Sequence, residues 1–107
     1  MSDKFDNVSV VKKANVFFDG KCVSHSVLFP DGTRKTVGVV MPGSQLVFSV
    51  GAPELMEITS GTCEVKIAGE PAFKTYTAGT SFKLAANGSF EIHAKDEVNY
   101  VCSFGSD

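Results

Sequence analysis

An all-β sandwich or barrel of short strands is the architecture these 107 residues predict. The residue mix points there first: fourteen valines stand against four leucines, and nine phenylalanines join them. Branched and aromatic side chains suit a pleated, half-buried surface and lose rotamer freedom in a helix. Next, apolar and polar residues alternate in several short runs, and no helix-length window repeats at i, i+3, i+4. Last, ten glycines and four prolines are scattered between those runs, where turns belong.

The elements follow in chain order. A strand carrying Lys21, Ser24 and His25 precedes Pro30-Asp31-Gly32, a turn in which Pro sets φ and Gly accepts φ > 0. Val37 to Met41 reads as a strand buried on both faces and stopped by Pro42-Gly43. Gln45 to Val50 puts Leu46, Phe48 and Val50 on one side, and Gly51-Ala52-Pro53 ends it. Between Ser60-Gly61 and Ala68-Gly69, Cys63, Val65 and Ile67 alternate with polar residues. Ala78-Gly79 and Asn87-Gly88 mark further turns. Ser89 to Lys95 has an apolar face of Phe90, Ile92 and Ala94, and Val98 to Phe104 sets 98, 100, 102 and 104 on one face. The spacing of these runs suits one domain over residues 1–107, with a core of about 17–104 and loose ends at 1–6 and 105–107.

Composition removes several functions. Ten basic against twelve acidic residues give a net charge of -2, so no broad positive field exists for a nucleic-acid polymer or an anionic membrane. The longest apolar run, 37–43, is far short of the ~20 residues of a membrane helix. Residues 1–6 have no apolar stretch of the secretory kind, and Cys22, Cys63 and Cys102 form no CxxC or Cys/His cluster. Reduced cysteines in a cytoplasmic protein are therefore expected.

One spacing leads further. Glu54 is followed after six residues by Gly61, and Gly79, Phe82, Ala85-Ala86 and Phe90 come later in the chain. This resembles the two cupin motifs, in which a glutamate begins a strand and a glycine closes the hairpin. The resemblance implies a cupin-type jelly-roll β-barrel. It also places Phe48, Val50 and Phe90 where metal-binding cupins carry histidines. A carboxylate alone does not hold a transition metal with open positions, so no metal and no cofactor is expected. Longer stretches narrow the resemblance: Thr33 to Gly43, Phe48-Ser49, Pro53 to Met56, Ile58 to Gly61, Tyr76 to Phe82, then Gly20-Lys21 and Tyr100-Val101-Cys102. Together they resemble the small one-domain cupins called pyrimidine/purine nucleoside phosphorylases, over residues 17–104. The family usually has Trp where this chain has Phe73, and Pro where it has Ala85.

The resemblance implies phosphorolysis: inorganic phosphate as co-substrate displaces the base of a nucleoside and leaves a pentose 1-phosphate. Positioning and electrostatics supply most of what this needs. Arg34, the single arginine, has the planar fork that matches phosphate oxygens; the alternative is a surface or subunit-interface arginine. Lys21 and Ser24 are weaker phosphate candidates or exposed strand residues. Glu54 takes the inward cupin position, either as the catalytic carboxylate contacting base or ribose or as a structural ion pair with Arg34. Glu57 falls on the opposite face. Phe48, Met56, Phe90 and Tyr100 either line a slot for a flat base or pack the core. His93 shares a solvent-type face with Glu91 and Lys95, and His25 has only its neutral titration to recommend it. Cys22 has no obvious base beside it, and Cys63 and Cys102 fall on apolar faces, so no cysteine nucleophile is expected. A homodimer is expected, because small cupins pair and edge strands need covering. A sugar or nucleotide sensor without catalysis would carry the same pocket, and a metal-dependent isomerase or dioxygenase lacks its histidines.

Overall fold

A computed structural model describes residues 3–105; of the loose ends expected at 1–6 and 105–107, residues 1, 2, 106 and 107 lie outside that range. The described residues form eleven strands. In order these are β1 (Ser9–Val10), β2 (Asn15–Phe17), β3 (Cys22–Leu28), β4 (Arg34–Val40), β5 (Gln45–Ser49) and β6 (Glu54–Ser60). They continue with β7 (Thr62–Ile67), β8 (Lys74–Thr77), β9 (Ser81–Leu84), β10 (Ser89–Ala94) and β11 (Val98–Phe104). A 3-10 turn, Phe18–Gly20, joins β2 to β3. Near the start, Phe5 sets its ring edge-on against Phe29 at 5.1 Å.

The strands make two antiparallel sheets. The larger runs β1-β3-β4-β11-β6-β9, with β2 also on β3; the smaller runs β5-β10-β7-β8. From β4 onward every connection except β7–β8 carries the chain from one sheet to the other. The turn dipeptides are therefore mostly corners. Gly61 is the sharpest of them. It does not close a hairpin, as the motif suggests, because β6 and β7 lie in different sheets and one residue separates them. Its φ is +90°, and a Cβ there would stand 2.2 Å from the Glu97 carbonyl oxygen.

Alternation assigns the faces as expected. Ile58 and Val98 from the larger sheet meet Val65 and Ile92 from the smaller, each 2% exposed or less. Burying a side chain of this size contributes ~1.5–3 kcal/mol. Cys63 lies fully buried in the same layer, where desolvation pushes its thiol up to about 11. The strand expected at 37–41 instead spans Arg34–Val40. Met41 falls outside it: its N–H still reaches the Lys21 carbonyl at 2.8 Å, but Pro42 after it has no N–H to carry the ladder on. Positions 36 and 40 face inward and are buried, whereas Val37 and Val39 are half-buried on the outer face.

Candidate functional site

The inward faces do not fill one end of the roll. They leave a cavity of about 310 Å³ between the sheets, walled by β2, β3, β4, β6 and β11 on one side and β5 and β10 on the other. Parity explains who lines it. Arg34 and Thr36 are two apart on β4, Glu54 and Met56 two apart on β6, and Tyr100, Cys102 and Phe104 alternate along β11.

The cavity gathers Arg34, Ser24 and Glu54, and with them the predicted apolar set of Phe48, Met56, Phe90 and Tyr100. Ser24 is 3% exposed, so its alternative as an exposed strand residue is overturned. Lys21 is not brought in. It caps the 3-10 turn ahead of β3, exposed, instead of sitting within the strand. Glu57 points outward, as parity requires.

Arg34 and Glu54 are both on the wall, yet no ion pair joins them; the described pairs are Lys74–Glu70, His93–Glu91 and Lys95–Glu64. The structural ion pair considered from the sequence is thus absent. Arg34 lays its guanidinium over the Phe104 ring, 4.3 Å from the centroid, which supports the plane, and among the described residues no carboxylate pairs with its N–H edge. Glu54 Oε1 instead accepts a hydrogen bond from Cys102 Sγ at 3.4 Å. Burial raises the Glu54 carboxyl above its ordinary 4.5; the Cys102 bond and the Arg34 charge partly oppose this. Desolvation, and then the neighbouring Glu54 charge, push the Cys102 thiol far up, so it stays a donor.

Because the folded Glu54 holds its proton to higher pH than the unfolded chain does, its contribution to stability declines as pH rises above 4.5 through the folded value. Glu54→Gln should therefore melt higher than the parent near pH ~7, with the gap closing as pH falls toward ~4.5. Melting curves across that range check this, and a variant that melts lower at neutrality contradicts it.

The apolar side is mostly aromatic. Phe48 and Phe90 stack at 5.4 Å and 18°. Tyr100 sets its hydroxyl 3.4 Å from Cys22 Sγ. That ring fits only because residue 38 is glycine: a Cβ there would lie 2.6 Å from the hydroxyl and 2.9 Å from the Ser24 Cβ. Asn15 Nδ2 donates to Ser24 Oγ at 3.3 Å and extends the polar edge.

Sequence reasoning missed Asn15, Phe17, Thr36, Cys102 and Phe104 as lining residues. Parity from Arg34 and Tyr100 signals the last three; Asn15 and Phe17 depend on where β2 docks. Neither histidine enters. His25 Nδ1 donates to the Val11 carbonyl at 3.1 Å on the outer face. His93 lies on the outer face of the smaller sheet but is not simply solvated. It meets Glu91 Oε2 at 2.7 Å and sits under Phe73, 4.6 Å between centroids.

The residues do not fit a metal. Glu54 has no imidazole beside it, and among the described residues no three His, Cys, Asp or Glu are grouped to hold an ion.

The family model for pyrimidine/purine nucleoside phosphorylase matches residues 12–104. The chain belongs to that family. A pyrimidine/purine nucleoside phosphorylase of Cupriavidus necator is 59% identical over 101 residues, covering 94% of this chain and 95% of the relative. A solved protein of unknown function from Acinetobacter sp. ADP1 superposes with a TM-score of 0.93 at 47% identity, covering 96% of this chain and 99% of its own. An RmlC-like cupin from Shewanella frigidimarina has a TM-score of 0.70 at 14% identity over 94% of this chain and 86% of its own, a likeness of fold. The expected cupin-type roll is thereby met. Of the two departures from the family pattern, Phe73 packs on His93 outside the cavity, and Ala85 sits exposed in the β9–β10 turn, off the lining.

Proposed function

We propose that the chain cleaves both purine and pyrimidine nucleosides with inorganic phosphate, without metal or organic cofactor. A phosphate oxygen attacks the anomeric carbon, the bond to the base breaks, and the base leaves with the bonding pair. The base ends with the proton that phosphate gives up. The products are a free base and a pentose 1-phosphate.

The observation that carries this reading is an arginine on the cavity wall with no carboxylate partner among the described residues. Among the described residues its fork is free for an oxyanion, and buried Ser24, which pairs with Gly38 four residues further along β4, lines the same wall deeper in. Glu54 takes the ribose hydroxyls as acceptor, held in orientation by Cys102. The Phe48–Phe90 stack, with Met56 and Tyr100, takes the base through its faces, which all bases share. Metal independence is supported by phenylalanine and valine where chelating histidines would stand.

The deciding experiment incubates purified protein with uridine or guanosine, with and without phosphate, after chelation. Base released only when phosphate is present is the expected result. Ligand bound without turnover would favour a sensor instead, and activity that returns only with iron or manganese would overturn the metal-free reaction.

The working unit is proposed to be a homodimer in the cytoplasm. A second copy is supported by the outer face of the larger sheet, where Val23, Val37, Val39 and Val101 border an apolar hollow of about 720 Å³. Light scattering at the mass of a single 11.4 kDa chain would exclude it. The location is supported by three buried, unpaired cysteines. Among the described residues no helix is long and apolar enough to cross a membrane.

A further inference from the structure

Phe17, which lines the cavity, and its neighbour Phe18 are 43% and 44% exposed. Neighbouring residues of a strand point to opposite faces, so two adjacent rings reach one target only if the backbone turns over. Here it does. Phe17 is still extended, at φ -122°, and the next two residues are left-handed, Phe18 at φ 53° and Asp19 at φ 57°. A bulky residue in that region is a true outlier, and such conformations gather at functional sites. The result is that both rings meet Phe48. Phe17 does so at 6.1 Å and 74°, and Phe18 at 5.1 Å and 86°.

The segment is tied to the pocket, not merely beside it. β2 pairs only with β3 through three residues, and Asn15 donates to Ser24 inside the cavity. Phe17 itself lines the cavity, while Val16 between the two inward residues is 62% exposed. A fold that needed these rings for its core would have buried them. They stay half in water, with their edges against the Phe48–Phe90 stack that lies across the cavity.

We propose that Phe17 contacts the base and closes the mouth of the cavity over it, and that Phe18 is a positioning residue that fixes Phe48 from behind. The turn thereby sets base preference. A two-ring purine offers this wall more flat area than a one-ring pyrimidine, so purine nucleosides depend on it more. The inference rests on the nucleoside reading given above.

The test is steady-state phosphorolysis of guanosine and uridine by the parent and by Phe17→Ala, Phe17→Tyr, Phe18→Gly and Phe18→Tyr. Glycine suits the left-handed position, so Phe18→Gly removes the ring and keeps the turn. Loss of one stacking ring is expected to raise KM for guanosine about tenfold in Phe17→Ala, and for uridine about threefold or less, with kcat within about threefold. Phe18→Gly shifts KM the same way by a smaller factor, and both Tyr variants restore the parent values. Unchanged KM for both nucleosides, or a fall in kcat with KM constant, overturns the assignment. An equal rise for the two nucleosides overturns the purine dependence. If the parent releases no base from either nucleoside, the function reading itself fails, and that outcome is distinct from a parent that works and a Phe17→Ala that matches it.

Discussion

Arg34→Ala is expected to reduce phosphate-dependent base release by about a hundredfold or more while the melting temperature barely moves. The loss is large because the attacking phosphate carries its negative charge into a partly desolvated pocket, and this chain has a single guanidinium to hold it there. The fold should stand because the contact given up is one exposed guanidinium face on Phe104, worth ~0.5–1 kcal/mol. Arg34→Lys keeps the charge but not the fork, and should recover part of the rate with a raised KM for phosphate. Near-parent rates in Arg34→Ala would remove the residue from the mechanism.

Gly61→Ala is expected to be the most damaging small substitution in the chain. Two penalties coincide there. A side chain at φ +90° is strained by ~1–3 kcal/mol, and the added methyl would run into the Glu97 carbonyl, a backbone atom with no rotamer to escape by. A total of roughly 3–5 kcal/mol is a large part of the stability of a domain this size, and would lower the melting point by ~15 °C or more. Gly69→Ala is the control. Its φ of +95° is similar, but nothing lies within 4 Å of its missing Cβ, so it should lose only the strain. Equal melting points for the two variants would show that the Glu97 contact carries no weight.

The faces of the strands were legible because alternation is a local property. Cys63 and Val65, Phe90 and Ile92, and Tyr100 and Cys102 all point inward as their spacing requires. Which strand lies beside which was not legible. The same Gly-containing dipeptides mark hairpins and corners alike, and only the assembled sheets show that Gly61 is a corner. The site divides the same way. Arg34, Glu54 and Tyr100 were reachable from residue chemistry and the resemblance, and their inward parity held. Lys21 was misplaced because a 3-10 turn with left-handed residues interrupts the alternation just before it. Phe17 was missed for a different reason: it enters the cavity through the docking of β2 against β3, a contact that no run of residues announces.

The larger and smaller sheets share no hydrogen-bonded strand neighbours, so the gap between them is set by the side chains that hold them apart. The cavity is thus a slit whose width is fixed by spacers at the other end, Ile58 and Val65 among them. Trimming a methyl from such a spacer would let the slabs settle closer and narrow the chamber without altering one residue of its wall. New substrate preferences in this architecture are therefore open to change from the interior packing as well as from the rim.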